Sequence, residues 1–343
     1  MKKLLNTLFV TTQGAYLNKD GECVVASVEG EERFRIPIHN LGGIICFGNV
    51  LCSPFLLGHC GENHVAVSFL TANGRFLARV LGKVSGNILL RREQYRRADN
   101  PAACLHIARS AVIGKTINSR TILQRALRDH SDTIPINRIS EAVAILAKQA
   151  SLLRKAETLD QLRGLEGDAS RTYFSVFDDL ITNQKENFFF HYRNRRPPLD
   201  NMNALLSFSY TLLVHDCTGA LEAVGLDPQA GFLHRDRPGR VSLALDLMEE
   251  LRPFLADRLA LSLINLRQIT TEGFNKTETG AVEMDEDTRK TVITAWQKRK
   301  QESIQHRFLN ESILIGQIPF VQALLLSRHL RDDLDGYPPF IWK

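Results

Sequence analysis

The chain reads as a two-domain α+β protein, with a small N-terminal β-rich domain over residues 1–88, a basic linker over 89–100 and a larger all-α helical domain over 101–343. Three observations predict this. Before Leu89 the chain alternates short apolar runs with turn residues. At RREQYRR, Arg91 to Arg97, the composition shifts sharply toward arginine. Beyond Asn100-Pro101 apolar residues recur at i, i+3, i+4 and i+7 over long stretches, the period of helices packing on one another.

In order, Leu4–Thr12, Cys23–Val28 and Phe34–Ile38 read as strands, parted by turns at Asn18-Lys19-Asp20-Gly21 and Glu29-Gly30. Gly42–Phe47 and Val65–Leu70 read as shorter buried strands, with one or two helical turns at Ser53–Cys60 between them. Asn73-Gly74 then turns the chain into Arg75–Leu81. Helices are expected over Ala102–Asp129, Ile139–Glu157, Tyr173–Glu186, Leu199–Val224, Leu243–Leu259 and Thr288–Phe308. HYRNRRPP, from His191 to Pro198, is a basic loop stopped by prolines that cannot continue a helix. Thr270–Asp287, rich in Gly, Thr and acids, is expected as an exposed loop or small hairpin. The terminal GYPPFIWK is apolar but too short to fold alone, so it docks on a partner or frays.

With 44% apolar and 24% charged residues among 343, the composition is that of an ordinary globular chain with a sizeable core. A net charge of +5 is only mildly basic, so any nucleic-acid contact must come from local clusters. The six cysteines form no CxxC pair, which argues against a zinc finger and for reduced thiols in a cytosol. The opening MKKLLNTLFV is interrupted at Asn6-Thr7 and lacks a small-residue cleavage site, so it reads as a strand rather than a signal peptide. No window has the apolar length of a membrane span, and a cytoplasmic location without membrane contact is expected.

The stretch with the most chemistry is GFLHRDRPGRVSLALDLMEELRP, Gly231 to Pro253. His234 stands at the mouth of an Arg/Pro/Gly turn. Asp246, Glu249 and Glu250 follow at helical spacing on one face, while Leu243, Leu247, Leu251 and Leu255 fall on another. An imidazole beside carboxylates makes a divalent-metal pocket, although carboxylates on the polar side of a helix are usually just solvated. In LRGLEGDASRTYF, Glu166 sits between Gly164 and Gly167, where a ligand can approach closely; it could equally cap a helix beginning at Asp168–Arg171. Oxygen ligands suit Mg²⁺, and an added imidazole shifts the preference toward Mn²⁺. The surrounding Arg163, Arg171, Arg235, Arg237, Arg240 and Arg252 have the group for bidentate phosphate contact, though each is individually as well placed to be a surface charge. The basic runs holding Arg91, Arg92, Arg96 and Arg97, and Arg195 and Arg196, with Arg75 and Arg79, are candidate tracks for a DNA backbone or merely solvated faces.

GLEGDASRTYF, then RRPPLDNMNALLSFSYTLL, GLDPQAGFLHRDRPGR and SLALDLMEELRP, in this order and spacing, resemble the CRISPR spacer-acquisition integrase family, Cas1. FLTANGRFLARV is similar to that family's N-terminal domain, and the overall length with YPPFIWK looks closest to subtype I-C. The resemblance implies a β domain that forms a homodimer, a helical catalytic domain, and assembly of two dimers around a dimer of the small partner Cas2. It implies capture of a short double-stranded DNA and its insertion at the leader end of a CRISPR array. It carries the metal ligands to Glu166, His234 and Glu249, with Asp246 as a further ligand or a group behind one. The family's third ligand is Asp in some relatives, where this chain has Glu249. Some relatives also have a tyrosine where this chain has Leu245, so no tyrosine is assigned a role. The nucleophile implied is a DNA 3′-hydroxyl, which agrees with the lack of a covalent catalytic residue. A nuclease that uses water without joining ends, and a structural DNA-binding subunit, are the competing readings.

Overall fold

The computed structural model describes residues 7–72, 76–80, 82 and 88–342. Leu4, Asn73-Gly74, Arg75 and Leu81, which entered the expectations above, lie outside the described residues. The chain forms two compact units. One holds the N-terminal strands together with Ile293–Glu302 and Ile315–Gln317, and the other holds the remaining helical part.

The N-terminal unit contains β1 (Thr7–Val10), β2 (Tyr16–Asp20), β3 (Cys23–Val28), β4 (Glu31–Pro37), β5 (Gly43–Phe47), β6 (Leu51–Cys52), α1 (Pro54–Glu62), β7 (Ala66–Leu70) and β8 (Phe76–Val80). They make two four-stranded sheets, ordered β1-β5-β7-β8 and β4-β3-β2-β6. Buried Leu17, Val24, Ile44, Val67 and Leu56 form its core. The segment Tyr16–Asp20, half of which reads as a turn in sequence, is a strand paired with β3. Its one fully buried residue, Leu17, holds it down, and the turn tightens to Gly21 at φ +56°.

The helical unit begins with α2 (Ile88–Ala98), α3 (Pro101–Asp129), α4 (Ile136–Leu153), α5 (Leu159–Ser175) and α6 (Asn201–Ala223). It continues with α7 (Ser242–Glu249) and α8 (Arg258–Asn265), then the β9–β10 hairpin (Phe274–Lys276, Val282–Met284). It closes with α9 (Glu286–Lys300), whose C-terminal part lies in the other unit, the β11–β12 hairpin (Ser303–His306, Glu311–Leu314) and α10 (Ile318–Leu330). The arginine-rich stretch expected as a linker is therefore helix α2. The small hairpin expected within Thr270–Asp287 is β9–β10.

Capping chemistry sets where the site-bearing helices start. Asn100 Oδ1 accepts the N–H groups of Ala102 and Ala103 at 2.9 and 3.2 Å, with Pro101 at the first helical position of α3. Thr158 Oγ1 accepts from Gln161 N at 3.1 Å, and Gln161 Oε1 returns to Glu157 N at 2.8 Å, a reciprocal cap that starts α5 at Leu159. Between α7 and α8 the chain winds as a wider π-helical turn over Arg252–Asp257, entered at Pro253, whose nitrogen has no hydrogen to donate.

The terminal segment corrects the expectation made for it. Tyr337, Phe340 and Trp342 are buried in their own chain. Asn118 donates to the Phe340 carbonyl at 2.9 Å and accepts from Trp342 N at 2.8 Å. Glu250 accepts from the Tyr337 hydroxyl at 2.5 Å and from Phe340 N at 2.8 Å. The indole of Trp342 lies under the guanidinium groups of Arg125 and Arg258, at 4.0 and 4.8 Å. None of the six cysteines is joined in a disulfide. Among the described residues no helix is long and apolar enough to cross a membrane.

Candidate metal centre

Three helices and one loop converge on the residues singled out in sequence. Glu166 lies in the middle of α5 rather than at a cap, which removes the alternative reading made for it. A Cβ on Gly164 or Gly167 would meet nothing within 4 Å, so bare helix backbone flanks Glu166. Glu249 is the last residue of α7 and is buried. His234 is carried by the loop that precedes α7.

That loop is held from two sides. Gly231 packs so tightly on α7 that a Cβ there would come within 2.7 Å of Ser242 Cβ. Arg163, from α5, donates to the Leu233 carbonyl through Nε at 3.0 Å and through its terminal nitrogen at 2.7 Å.

Asp246 completes the loop's seat. Its carboxylate accepts the backbone N–H groups of Phe232, Leu233 and His234 at 2.6, 2.9 and 3.0 Å, and it faces His234 Nδ1 at 2.6 Å. All of its acceptor capacity is turned to the loop, so it stands behind His234 rather than beside it as a donor to an ion. A carboxylate on Nδ1 keeps the proton there and leaves Nε2 as a free lone pair. That Nε2 lies 3.9 Å from Glu249 Oε1, too far for a hydrogen bond.

The two glutamates share a partner that sequence reasoning missed. Lys115, on α3, places its ammonium against Glu166 Oε1 and 2.8 Å from Glu249 Oε2. The buried Glu249 Oε2 has the Lys115 ammonium as its close partner. Ser170 donates to Glu166 at 2.8 Å, and Arg252 sits 3.1 Å from Glu249 Oε1. Burial alone would push the Glu249 carboxyl up, but Arg252 and Lys115 outweigh it and hold it down at about 2. Burial opposes the charge on Lys115 in turn, and Glu249 and Glu166 overcome it, so the ammonium titrates above its ordinary range. Arg252 is further fixed over the ring of Tyr210, whose hydroxyl donates to Asp257 at 2.6 Å.

As the side chains stand, no three His, Cys, Asp or Glu groups among the described residues are close enough together to hold an ion. Lys115 occupies the point on which both carboxylates converge. The donor set around that point, two carboxylates and an imidazole nitrogen, nevertheless has the chemistry of a divalent-cation site, with the ammonium standing in for the cation.

The arginines divide. Arg240 has its charge disfavoured by burial and then by Arg237, Arg195 and Arg196, which brings the RNRR loop and the RDRPGR turn together near Asp246. Arg195, Arg196, Arg235 and Arg237 are exposed, and Arg240 is half-buried. Arg235 also reaches Asp160 at 3.3 Å. Arg163, Arg91 and Arg97 instead hold the chain together. Arg91 donates to the Gly225 carbonyl, and Arg97 to Glu93, Asp332 and the carbonyls of His329 and Leu330. Arg92 and Arg96 are exposed on α2, Arg171 pairs with Asp168 on the surface of α5, and Arg79 is half-buried on β8.

A β-rich unit followed by a helical unit that gathers Glu, His and Glu is the frame within which the comparisons with known proteins fall. The family model for CRISPR associated protein Cas1 matches residues 8–298. The chain is 56% identical, over 343 residues and the whole of both chains, to a CRISPR-associated endonuclease Cas1 of Chlorobaculum tepidum. In structure it is similar to a casposase bound to an integration product, with TM-score 0.84, 21% identity, and 98% of this chain and 94% of that one covered. It is also similar to a Cas6-RT-Cas1–Cas2 complex, with TM-score 0.81, 23% identity, and 99% of this chain but 36% of that one covered. The protein belongs to the Cas1 family of CRISPR-associated proteins.

Proposed function

We propose that this protein is a metal-dependent DNA integrase and endonuclease that inserts captured double-stranded fragments into a CRISPR array, by attack of a DNA 3′-hydroxyl on a repeat phosphodiester. The observation that carries the reading is the convergence of Glu166 and Glu249 on one cation position beside His234 Nε2. Glu166, His234 and Glu249 would hold the ion, Mg²⁺ or Mn²⁺. When bound, the ion supplies Lewis-acid polarisation of the phosphodiester.

The chain's own residues do the rest. Asp246 fixes the tautomer and aim of His234. Arg252 keeps Glu249 ionised and in place. The cluster of Arg195, Arg196, Arg237 and Arg240, with Arg235, would grip the DNA backbone, since guanidinium groups take phosphate oxygens in pairs. Arg92, Arg96 and Arg171, with Arg75 and Arg79, are further backbone contacts. Because the nucleophile belongs to the DNA, the protein needs only to align it and to stabilise developing charge.

Partnership rests on the same reading. The β unit exposes Tyr16 and Leu51, register partners on β2 and β6 at a sheet edge, and Phe55 near the start of α1, and we assign these apolar side chains to a homodimer contact. A Cas2 dimer bridging two such pairs, a cytoplasmic location and subtype I-C, the last from the YPPFIWK segment, complete the proposal.

The test is a joining assay with plasmid carrying a leader and repeat, labelled short duplex, Cas2 and Mn²⁺. Wild type is expected to transfer label to plasmid, and Glu249→Gln to lose at least about a hundredfold of that rate, as expected when a group holding a catalytic ion is neutralised. Cutting without joining would make the protein a nuclease alone. Neither reaction, with DNA binding intact, would leave a structural subunit.

A further inference from the structure

We propose that Lys115 is the resident counter-cation of the pocket, and that it holds Glu166 and Glu249 together until a divalent ion displaces it. The inference rests on the metal-ligand reading above. Its observation is separate, however, because Lys115 comes from α3 and belongs to none of the sequence blocks that suggested ligands.

Two largely shielded carboxylates pointing at one spot repel each other unless a positive charge lies between them. In this structure that charge is the Lys115 ammonium, whose side chain is only 14% exposed. Among the described residues Lys115 is the group in ion-pair contact with both glutamates, while Arg252 is in such contact with Glu249 alone.

Lys115 and Arg252 offset Glu166 and Glu249. An ion arriving at the same point with two positive charges overcompensates the pair and repels the ammonium at close range. Lysine can yield where an arginine fork would not, since it carries a compact charge on a flexible four-carbon stem.

This arrangement makes metal entry a competition between two cations. It predicts that removing the lysine charge tightens metal binding, whereas a lysine that merely supports the fold would weaken it when lost. The measurement is Mn²⁺ binding to the full chain, monitored by electron paramagnetic resonance of the free ion, for wild type, Lys115→Met, Lys115→Arg and Glu249→Gln. Lys115→Met is expected to bind Mn²⁺ roughly tenfold more tightly than wild type, about one ion-pair difference in a partly buried site. Its metal-free form is expected to melt below wild type and to recover most of the loss with Mn²⁺.

Lys115→Arg, whose planar fork grips both carboxylates, is expected to bind Mn²⁺ more weakly than wild type. That arm decides the question if the methionine variant does not fold. Unchanged or weaker affinity in Lys115→Met, or unchanged or tighter affinity in Lys115→Arg, overturns the competition. Glu249→Gln binding Mn²⁺ as well as wild type would instead overturn the ligand assignment itself, and so separates the two failures.

Discussion

Asp257 shows how the chemistry of the site reaches into the core at the scale of one residue. It is almost fully buried and accepts from the Tyr210 hydroxyl, and Tyr210 in turn lies under Arg252, which grips Glu249. Burial raises its carboxyl from 3.8 to about 6 against the hydrogen bonds and arginines that favour the anion. A folded-state value above the unfolded one means that the folded form holds the proton more tightly. The resulting stability is fully present below about pH 3.8 and is lost as pH rises through about 6. Asp257→Asn is therefore expected to flatten the fall in urea-unfolding stability between pH 5 and 7.5 by about 1.4 kcal/mol, the equivalent of one pH unit below the folded value. The same slope in variant and wild type would show that Asp257 does not titrate in this range. His234 and Glu249 were legible in sequence because their spacing to Asp246 is local. Lys115 was not, because nothing in the order of residues says that a lysine in a long helix turns toward two glutamates instead of solvent.

At the scale of elements, the strands with β-branched runs, such as β3 and β5, were readable, and so was the long α3 with its Asn-Pro start. Helix α5 was misplaced because Gly164 and Gly167 look like a loop, although Thr158 and Gln161 already carried the capping signal. The expected helix Tyr173–Glu186 gives way to irregular chain after Ser175, apart from a short 3₁₀ turn at Asp178–Leu180. There Arg138 takes over as partner, reaching Asp179 at 3.1 Å.

The C-terminal segment has no period to read and is placed entirely by tertiary contacts with Glu250, Asn118 and Gln322. Since Glu250 comes directly after Glu249, this strap also braces the end of α7. Trp342→Ala removes an indole packed against Phe254 and two arginines, and is expected to cost about 3–5 kcal/mol. Urea unfolding measures it, and a loss below about 1 kcal/mol, the range of surface substitutions, would mean that the strap is not part of the folded core.

For the whole molecule the net charge of +5 says little, and the placement of the arginines says more. Arg195, Arg196, Arg237 and Arg240 are gathered by folding from two segments some forty residues apart, whereas the more conspicuous run at Arg91–Arg97 spends two of its members on internal carbonyls. Alanine at all four gathered positions is expected to lower the slope of log affinity for duplex DNA against log salt by roughly 3–4, at about 0.9 per phosphate contact. Arg97→Ala is expected to leave that slope alone and to lower stability instead. The opposite pattern would return DNA binding to α2.

The most direct measurement of the central claim is anomalous scattering from a crystal grown with Mn²⁺. The account predicts one peak bonded to Glu166, Glu249 and His234 Nε2, at roughly 2.0–2.3 Å from each donor, with the Lys115 ammonium withdrawn and Asp246 still on His234 Nδ1. A crystal that shows no peak there while Lys115 remains between the glutamates, or that carries the ion elsewhere in the helical unit, would contradict it.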